Sequence, residues 1–261
     1  MKQRAFDVLG NIAIVNFSKD EKLINKKKFA NKILKENPGI KTILEKTGKV
    51  HGRLRKPSTK FLLGEKTKEV LYKENNCVFR FNVDTTYFSP RLSNERKEIA
   101  PLIKKNEEVL VMFAGVAPYS IVIAKNSDCK KVYSNEINRI ANKYAKLNIE
   151  KNKLKEKIEL INGDIKRIAK NKKLNKKFDV IVMPRPQLKD SFLHEAFKLS
   201  KKGTRIYYYD FCKIEDKEKI IEKIKNEAKE NKKKIKILKI KKAGEIAPYK
   251  IRLRIDFKLL N

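Results

Sequence analysis

The chain has 261 residues, and 41% of them are hydrophobic, so a sizeable core is expected and disorder is not. Its 65 lysines and arginines against 31 aspartates and glutamates give a formal net charge of +34, which predicts a polyanionic partner such as nucleic acid. A Lys-rich composition is also typical of AT-rich genomes and hot habitats, but the thermophile signature enriches Glu along with Lys, and here Lys predominates.

The few cysteines and histidines and the lack of long apolar runs argue against disulfides, metal sites and membrane segments. Cys77, Cys129 and Cys212 are scattered and form no CxxC pair, so neither a disulfide framework nor a zinc site is indicated. With only two histidines, metal catalysis through imidazole ligands is not expected, and we predict no metal. The opening MKQRAFDVLG lacks the apolar stretch of a signal peptide, and no apolar run approaches the ~20 residues of a membrane helix. We therefore expect a cytoplasmic protein without membrane contacts and without an obligate protein partner.

The first part of the chain, residues 1–98, combines short strand-like runs with Lys-rich helical segments. The runs FDVLGNIAIVNF (Phe6–Phe17) and CVFRFNVDTTYF (Cys77–Phe88) have the pattern of strands, and Lys27–Glu36 has helical spacing. This pattern predicts a small α+β domain. The change in periodicity near its end predicts a second domain over residues 99–261.

In the second part, apolar strands alternate with amphipathic helices. The predicted strands are Glu108–Phe113, Lys130–Asn135, Lys157–Ile161, Phe178–Met183, Arg205–Phe211, Lys234–Ile240 and Tyr249–Leu260. Helices are predicted from about Tyr119, over Arg139–Asn152 and over Glu215–Glu230. Such alternation predicts a mostly parallel sheet covered on both faces. Because no helix separates the last two of the seven strands, the last strand is expected to return antiparallel, which is the class I methyltransferase form of the Rossmann-like α/β fold.

The segment VLVMFAGVAPYS (Val109–Ser120) is the candidate cofactor loop. Its small-residue turn, Ala114–Ala117, follows the first strand of the predicted sheet, where the backbone can closely approach the methionine and ribose end of S-adenosylmethionine. Glu136 ends the second strand about 20 residues after Gly115, a spacing typical of a carboxylate that accepts hydrogen bonds from both ribose hydroxyls. Asp164 follows the third strand, at the usual place of an acid that binds the adenine amino group.

The residues predicted to bind the cofactor are Phe113, Gly115, Val116, Ala117, Pro118, Glu136, Ile137, Asp164 and Ile165. A GxA turn alone also suits an ordinary strand–helix turn, and the order of three features along one sheet edge is the stronger signal. An NAD-binding Rossmann domain is the alternative. It is disfavoured because the fourth strand ends in MPRP, which is typical of a substrate-facing turn, and because no second nucleotide-binding half follows.

YFSPRLSNER (Tyr87–Arg96) is the most specific block of the sequence, and MFAGVAPYSI, VYSNEIN, YYYDF and APYKIRLRIDF follow it in order. With the opening FDVLGNIAIV, these blocks resemble the archaeal and eukaryotic tRNA (guanine-N1)-methyltransferases that modify position 37 of the anticodon loop and are related to the wybutosine-pathway enzymes. The resemblance covers nearly the whole chain. It implies transfer of a methyl group from S-adenosylmethionine to N1 of guanine 37 in the anticodon stem-loop of tRNA, with residues 1–98 binding RNA and the target base.

The resemblance also implies roles for single residues. Guanine N1 carries a proton and is a poor nucleophile until that proton leaves, so the reaction needs a general base at N1 and a cationic donor at O6. By the resemblance, Glu95 matches the family's base and Arg55 its O6-facing arginine. Tyr87, Arg91 and Arg96 match residues that shape the pocket and hold the flipped-out base and its phosphate. Without the flanking YFSP, Arg91 and Glu95 would be interpreted as a surface i,i+4 pair.

The sequence departs from the family pattern near the cofactor and near the substrate. Val111 replaces an Asp and Ala117 a Gly, which predicts a modest cofactor affinity. Pro184-Arg185-Pro186 replaces the family's NLP turn, whose Asn helps to hold the target guanine. Pro184 and Arg185 are therefore expected at the substrate, with Arg185 taking over that role or binding a phosphate. The domain that reads the tRNA elbow in many archaeal members is not found, so positive charge and anticodon-loop contacts are expected to supply the affinity.

Two alternatives stay open. One is methylation of a wyosine-type tricyclic base, or transfer of the aminocarboxypropyl group of the same cofactor, which the Pro184-Arg185-Pro186 turn favours. The retained Glu95 and Arg55 favour N1 methylation instead, because a base that removes the N1 proton would otherwise have no use. The other alternative is a non-enzymatic basic RNA-binding module with a degenerate cofactor fold, which Val111 and Ala117 favour and the intact YFSPR block opposes.

Overall fold

The structure, a computed structural model, describes residues 6–48, 58–171, 176–184 and 190–261. The chain divides into two units, Met1–Pro90 and Arg91–Asn261. The boundary predicted from the sequence, between residues 98 and 99, lies further along the chain. The short helix over residues 93–99 belongs to the second unit because it packs against the helix that follows the first parallel strand. The RNA-binding and catalytic roles assigned to the two parts stay predictions.

The first unit is built from two small sheets and one helix. Its elements are β1 (Phe6–Leu9), β2 (Ile12–Val15), α1 (Leu23–Glu36), β3 (Thr42–Lys46), β4 (Thr59–Gly64), β5 (Glu69–Glu74) and β6 (Cys77–Asn82). Strands β1 to β4 form one sheet in that order, β2 and β3 run parallel on either side of the crossover helix α1, and β5 pairs with β6 as an antiparallel hairpin. Apolar side chains of α1 and of β2 to β4 form its core. This arrangement confirms the predicted small α+β domain.

The second unit contains the large sheet. Its elements are α2 (Ser93–Ile99), β7 (Glu108–Val111), α3 (Pro118–Asn126), β8 (Lys131–Glu136), α4 (Arg139–Lys151), β9 (Ile158–Asn162), α5 (Ile165–Ile168), β10 (Phe178–Met183), α6 (Leu193–Lys198), β11 (Ser200–Lys213), α7 (Lys217–Glu230), β12 (Ile235–Ala247) and β13 (Lys250–Leu259). In its described residues, seven strands lie in the order β12-β13-β11-β10-β7-β8-β9. Strand β13 is antiparallel to both of its neighbours, and the other pairs are parallel. The topology confirms the predicted class I methyltransferase form of the α/β fold.

Differences from the predicted elements have local causes. The run Phe6–Phe17 folds as the hairpin β1–β2, because Gly10 adopts a left-handed φ of 55°. The run Cys77–Phe88 ends as a strand at Asn82, whose side-chain oxygen accepts a hydrogen bond from the amide of Asp84 at 3.1 Å and closes a turn. Strands β11 and β12 extend well beyond their predicted lengths, since both pair with β13 over nearly all of its residues.

The order of the strands reverses between β7 and β10. In open α/β sheets, ligands bind outside the carboxyl ends of the strands at such a switch point. The apolar side chains of β7 and β10 are buried on both faces, so these two strands form a rigid floor for the loops that follow them. The candidate cofactor loop leaves β7 at this place. Within the described residues, no helix is long and apolar enough to cross a membrane.

Gly10 is a position where any side chain should destabilise the first unit. A Cβ atom built on it would lie 1.8 Å from the carbonyl oxygen of Leu71. We expect Gly10→Ala to lower the free energy of unfolding by more than about 2 kcal/mol, because the left-handed conformation alone costs roughly 1–2 kcal/mol. Gly39→Ala is the control, since no atom lies within 4 Å of a Cβ built there. Urea titration followed by circular dichroism measures both variants, and equal midpoints would contradict the placement of the β1–β2 turn.

Candidate cofactor and catalytic site

The loop between β7 and α3 has a strained backbone. Phe113, Gly115 and Ala117 have φ values of 58°, 58° and 67°, all in the left-handed region. For a residue with a Cβ atom this conformation costs roughly 1–2 kcal/mol, and such strain persists only where the surroundings hold it in place. Here the amide of Ala114 donates to the carbonyl of Asn135 at 2.8 Å, which ties the loop to β8. Strain held at a strand end is typical of a functional loop.

Glu136, at the end of β8, holds the same loop through its side chain. Its Oε2 accepts a hydrogen bond from the amide of Gly115 at 2.7 Å, and its Oε1 accepts one from the amide of Asn138 at 2.7 Å. Burial raises the pKa of Glu136, and hydrogen bonds from the backbone amides of Asn138, Gly115 and Ile137 oppose that shift. A carboxylate offers about four acceptor positions, so a hydroxyl donor can be added without displacing the bonds from these amides. The contact of Glu136 with ribose stays a prediction. The hydrogen bonds by which Glu136 holds the loop are a role that the sequence did not indicate.

Buried asparagines fix the backbone around this carboxylate. Asn135 donates to the carbonyl of Ile161 in β9 at 2.8 Å and to that of Gly163, just after β9, at 3.0 Å. Asn142 donates to the carbonyl of Glu136 at 2.9 Å, and Asn148 donates to that of Val116 at 3.2 Å. Sequence reasoning missed these three residues. The sequence did contain a sign of the two residues in α4, because Asn142 and Asn148 lie on the otherwise apolar buried face of that helix. Polar residues are buried in such a place only when a hydrogen-bond partner is present.

Asp164 follows β9 and caps α5. Its side chain accepts a hydrogen bond from the amide of Lys166 at 3.0 Å. Immediately before it, the amide of Gly163 donates to the carbonyl of Glu136 at 2.9 Å, so the loops after β8 and β9 are joined. The predicted contact of Asp164 with the adenine amino group stays a prediction.

The donor and acceptor chemistry of these loops fits S-adenosylmethionine. The ribose hydroxyls and the adenine amino group are hydrogen-bond donors, and they require acceptor oxygens such as the carboxylates of Glu136 and Asp164. Gly115 lets the backbone come close to a ligand, since it has no side chain. The ring of Phe113 packs edge-on against that of Phe192, with centroids 4.9 Å apart, and supplies an apolar wall.

Some predicted cofactor residues can contribute only their backbone. The side chains of Val116, Ala117, Pro118 and Ile165 are buried in the protein core. Any contact that these residues make with a ligand is therefore made by the backbone, to which Pro118 brings no amide N–H. Ile137 is half-buried and follows Glu136 directly.

Glu95 lies in the first turn of α2, in the second unit, and is only 4% exposed. Its Oε2 accepts hydrogen bonds from the hydroxyl of Tyr209 at 2.9 Å and from Nη1 of Arg254 at 2.8 Å. Its Oε1 accepts one from Nζ of Lys241 at 2.8 Å. These partners and the burial of Glu95 itself contradict the interpretation of Glu95 as the exposed i,i+4 partner of Arg91. Sequence reasoning did not identify Tyr209, Lys241 or Arg254.

Arg96 and two tyrosines connect this carboxylate with the cofactor loop. The guanidinium of Arg96, itself buried, lies 5.7 Å from the ring centroid of Tyr119, and the rings of Tyr119 and Tyr209 are 6.0 Å apart. Tyr119 is the second residue of α3, directly after the loop. Burial raises the pKa of Tyr119 to about 12. Within the second unit, packed side chains therefore run from Glu95 to the start of α3.

For the remaining predicted site residues, the structure gives at most their exposure and the unit to which they belong. Tyr87 is half-buried in the first unit, Arg91 is exposed at the start of the second, and Pro184 is half-buried after β10. Arg55 and Arg185 lie outside the described residues. In the part of the chain that the structure describes, no group of three or more His, Cys, Asp or Glu side chains is arranged to hold a metal ion.

Most of the chain matches the models of two known protein domains. Residues 70–238, more than half of the chain, match the model of the TRM5/TYW2 methyltransferase domain. The chain belongs to the TRM5/TYW2 methyltransferase family. Residues 2–67 match the TYW2 N-terminal domain. Membership confirms the resemblance found in the sequence and the prediction of an S-adenosylmethionine-dependent methyltransferase, and it favours this cofactor over NAD.

The chain is similar over almost its whole length to proteins of known name and to solved structures. A tRNA (guanine(37)-N(1))/4-demethylwyosine(37)-methyltransferase of Nanoarchaeum equitans is 35% identical over 98% of this chain and 100% of its own length. The tRNA (guanine(37)-N(1))-methyltransferase Trm5b of Pyrococcus abyssi is 30% identical, and its crystal structure matches with a TM-score of 0.86 over 98% of this chain and 75% of that one. The complex of aTrm5 with tRNALeu matches with a TM-score of 0.82 and 28% identity, over 98% and 72% of the two chains.

Replacing Glu136 in this TRM5/TYW2 family member should weaken cofactor binding. Glu136→Ala removes the acceptor proposed for ribose and strands the amides of Gly115 and Asn138, so S-adenosylmethionine affinity should fall by about 1–3 kcal/mol. Glu159→Ala is the control, since Glu159 is a half-exposed carboxylate on the adjacent strand that pairs with Lys131. Titration calorimetry measures both, and an unchanged affinity of Glu136→Ala would remove Glu136 from the site.

The affinity of the wild type should also depend on pH. Because burial raises the pKa of Glu136, its carboxylate gains a proton at a higher pH than an exposed glutamate does. A protonated carboxyl accepts fewer hydrogen bonds, so affinity should decrease as the pH falls through that raised value and should be constant above it. Glu136→Gln should lack this dependence, and parallel curves for the two proteins would contradict the assignment.

Proposed function

We propose that this protein is a cytoplasmic enzyme that transfers the methyl group of S-adenosylmethionine to N1 of guanine at position 37 of tRNA. The observation that carries the proposal is the buried Glu95 of the YFSPRLSNER block, whose carboxylate faces Arg254, Lys241 and a phenol. The names of the Nanoarchaeum equitans and Pyrococcus abyssi relatives support the substrate and the position. The aTrm5–tRNALeu complex supports tRNA as the partner, and position 37 implies that the anticodon stem-loop is the part bound.

The proposed reaction depends on a base at N1. Bound S-adenosylmethionine supplies the electrophilic methyl group. Glu95 takes the proton from N1, which leaves the N1 lone pair free to attack. Among the described residues three donors occupy three of the roughly four acceptor positions of its carboxylate, and the fourth receives the proton. Arg55, which matches the family's O6-facing arginine, is proposed to stabilise the charge that develops on O6.

Other residues are proposed to hold the flipped-out guanine and its phosphate: Tyr87, Arg91, Arg96, Pro184 and Arg185. Arg91 is exposed, so its guanidinium can reach a phosphate. Arg96 is buried over the ring of Tyr119, so its proposed role is to shape the pocket rather than to bind an exposed phosphate. Pro184 follows the carboxyl end of β10, beside the switch point of the sheet, where a substrate-facing turn is expected.

Methylation of a wyosine-type base is the second candidate. The Nanoarchaeum equitans relative is named for both guanine and 4-demethylwyosine at position 37, and residues 2–67 of this chain match the TYW2 N-terminal domain. The Pro184-Arg185-Pro186 turn points the same way, since it lacks the asparagine that holds guanine in the resembling sequences. Mass spectrometry of nucleosides from tRNA carrying either guanine or 4-demethylwyosine at position 37 decides between the two. It also separates methyl from aminocarboxypropyl transfer, because the two products differ in mass.

Binding of tRNA should weaken steeply with salt. The net charge of +34 includes exposed lysines on α1 and β12, among them Lys27, Lys28, Lys236 and Lys239. Each phosphate that is neutralised releases counterions, so the logarithm of affinity should fall linearly with the logarithm of salt, with a slope of about −0.9 per contact for a duplex and less for single strands. Fluorescence titration between low and physiological salt measures the slope. Cofactor affinity, measured in the same buffers, is the control, and a flat tRNA plot would contradict the electrostatic interpretation.

Replacing the proposed base should slow the chemical step and leave cofactor binding nearly unchanged. Positioned proton transfer contributes about 10²–10⁴-fold, so Glu95→Gln should lose about that factor in single-turnover rate at neutral pH. The loss should shrink as pH rises, because hydroxide then removes the N1 proton. Arg55→Ala should also slow the step, but higher pH should not restore it fully, since charge on O6 stays unstabilised.

Glu98→Gln is the matched control for Glu95→Gln. Glu98 shares both Lys241 and Arg254 with Glu95 but is far more exposed. Its replacement removes a carboxylate that shares the same cations without removing the proposed base, so the rate should fall far less than that of Glu95→Gln, and the loss should not shrink as pH rises. Equal losses in both variants, or wild-type activity of Glu95→Gln, would contradict the assignment of the base.

A further inference from the structure

Arg254 is a buried cation that the sequence did not indicate and that no step described above uses. It is 1% exposed and lies on β13, where its nearest partners are carboxylates. Its Nε and Nη2 donate to the two oxygens of Asp256 at 2.9 and 3.2 Å, and its Nη1 donates to Glu95 at 2.8 Å. Nη1 also lies 3.4 Å from Glu98. One guanidinium therefore joins the proposed base to a second buried carboxylate.

The large sheet brings these groups together in one row. Tyr209 of β11 lies opposite Arg254 of β13, which lies opposite Lys241 of β12. Residues directly opposite on neighbouring strands point to the same face, and all three side chains donate to Glu95. Asp256, two residues after Arg254 on the same strand, shares that face. We call these groups, with Glu98, the Glu95 cluster.

We propose that Arg254 is a positioning residue for methyl transfer: Asp256 holds its guanidinium, which aims Glu95 and keeps its carboxylate ionised. The proposal rests on the proposed function of Glu95 as the base. Arginine suits this role because its planar fork offers several donors in fixed directions, so two can grip Asp256 while a third points at Glu95. A lysine ammonium carries the same charge but cannot fix both carboxylates in one plane.

The charges around Glu95 show what removing Arg254 would do. The titratable and charged groups that face it are Glu98 of α2, Tyr119 of α3, Tyr209 of β11, Lys241 of β12, and Arg254 and Asp256 of β13. Among these described groups two cations, Arg254 and Lys241, donate to three carboxylates, and buried Arg96 lies nearby over the ring of Tyr119. Without Arg254, only Lys241 of these cations still donates to Glu95. Buried carboxylates that lose their cation take up a proton. A protonated Glu95 cannot accept the proton of N1.

The same cation also serves the step that follows. When Glu95 accepts the N1 proton it becomes neutral, and a buried cation left without a partner would be costly. Arg254 retains Asp256, and Lys241 retains Glu98, so neither cation depends on Glu95 alone. Because each cation has a second carboxylate, Glu95 can gain and lose the N1 proton without leaving either cation unpaired.

A purely structural role for Arg254 makes different predictions. If its ion pairs only fix α2 to the sheet, their loss would lower the rate by the same factor at every pH and would add to the effect of Glu95→Gln. If it keeps Glu95 ionised, its loss moves the acidic limb of the pH–rate profile to higher pH. The effect of its loss should then vanish once Glu95 has been replaced by a neutral residue.

The experiment measures single-turnover methylation of tRNA across pH at saturating S-adenosylmethionine. For Arg254→Met we expect a loss of up to the 10²–10⁴-fold of the base itself at neutral pH, an acidic limb at higher pH, and recovery as pH rises. Arg254→Lys should keep the limb near its wild-type position but lose rate, since the charge is kept and the fork is lost. Arg205→Met is the matched control, because it removes a partly buried ion pair with Glu107 that lies outside the cluster.

The double variant Glu95→Gln/Arg254→Met separates the possible failures. Wild-type activity of Glu95→Gln would overturn the proposed base itself. A slow Glu95→Gln combined with an Arg254→Met loss that is independent of pH and additive would overturn the positioning role alone. Wild-type behaviour of Arg254→Lys would overturn the aiming of Glu95. If circular dichroism shows that Arg254→Met is unfolded, Arg254→Gln, which also removes the charge but keeps a polar side chain, takes its place in every comparison, and an unmoved limb would overturn the proposal.

Discussion

Five neighbouring strands of the large sheet, β11, β10, β7, β8 and β9, run in the same direction, so the loops that follow them leave at one edge. Strand order reverses between β7 and β10, and the loops on the two sides of that point diverge and leave room for a ligand. Gly115, Glu136 and Asp164 follow three different strands and are separated along the chain. They come together only because parallel strands place their carboxyl ends side by side, and the backbone and side chain of Glu136 then link the three loops.

One departure from the family pattern, Ala117 in place of a glycine, lies in the loop after β7. Ala117 adopts a φ of 67°, a conformation that glycine tolerates better by roughly 1–2 kcal/mol. This strain is held by the bond from Gly115 to Glu136 and by the bond from Asn148 to the carbonyl of Val116. Neighbouring polar contacts therefore hold the strained conformation in place. In the proposed function the carboxylate of Glu136 serves both the loop and the cofactor, which couples the shape of the loop to cofactor binding.

Features that depend on local pattern could be predicted from the sequence, and contacts that depend on strand register could not. Glu136 was identifiable because it directly follows an apolar strand at the spacing of a ribose-binding acid. Tyr209, Lys241 and Arg254, by contrast, lie 114, 146 and 159 residues from Glu95 along the chain. They meet because β13 inserts between β11 and β12 in one particular register. A slip of one residue would turn Arg254 to the opposite face, and hydrophobic periodicity carries no information about that register.

Glu95 is a buried carboxylate and Glu136 a partly buried one, and their surroundings suit different chemistry. Glu136 is held by backbone amides, which are fixed dipoles, and burial raises its pKa. Such a setting suits a group that accepts hydrogen bonds and does not change its charge while the ligand binds. In the proposed function Glu95 is a general base, which changes its charge in every turnover, so the groups around it have to stabilise both states. Arg254 and Lys241 stabilise the ionised state, and because Arg254 also pairs with Asp256, the neutral state leaves no buried guanidinium without a partner.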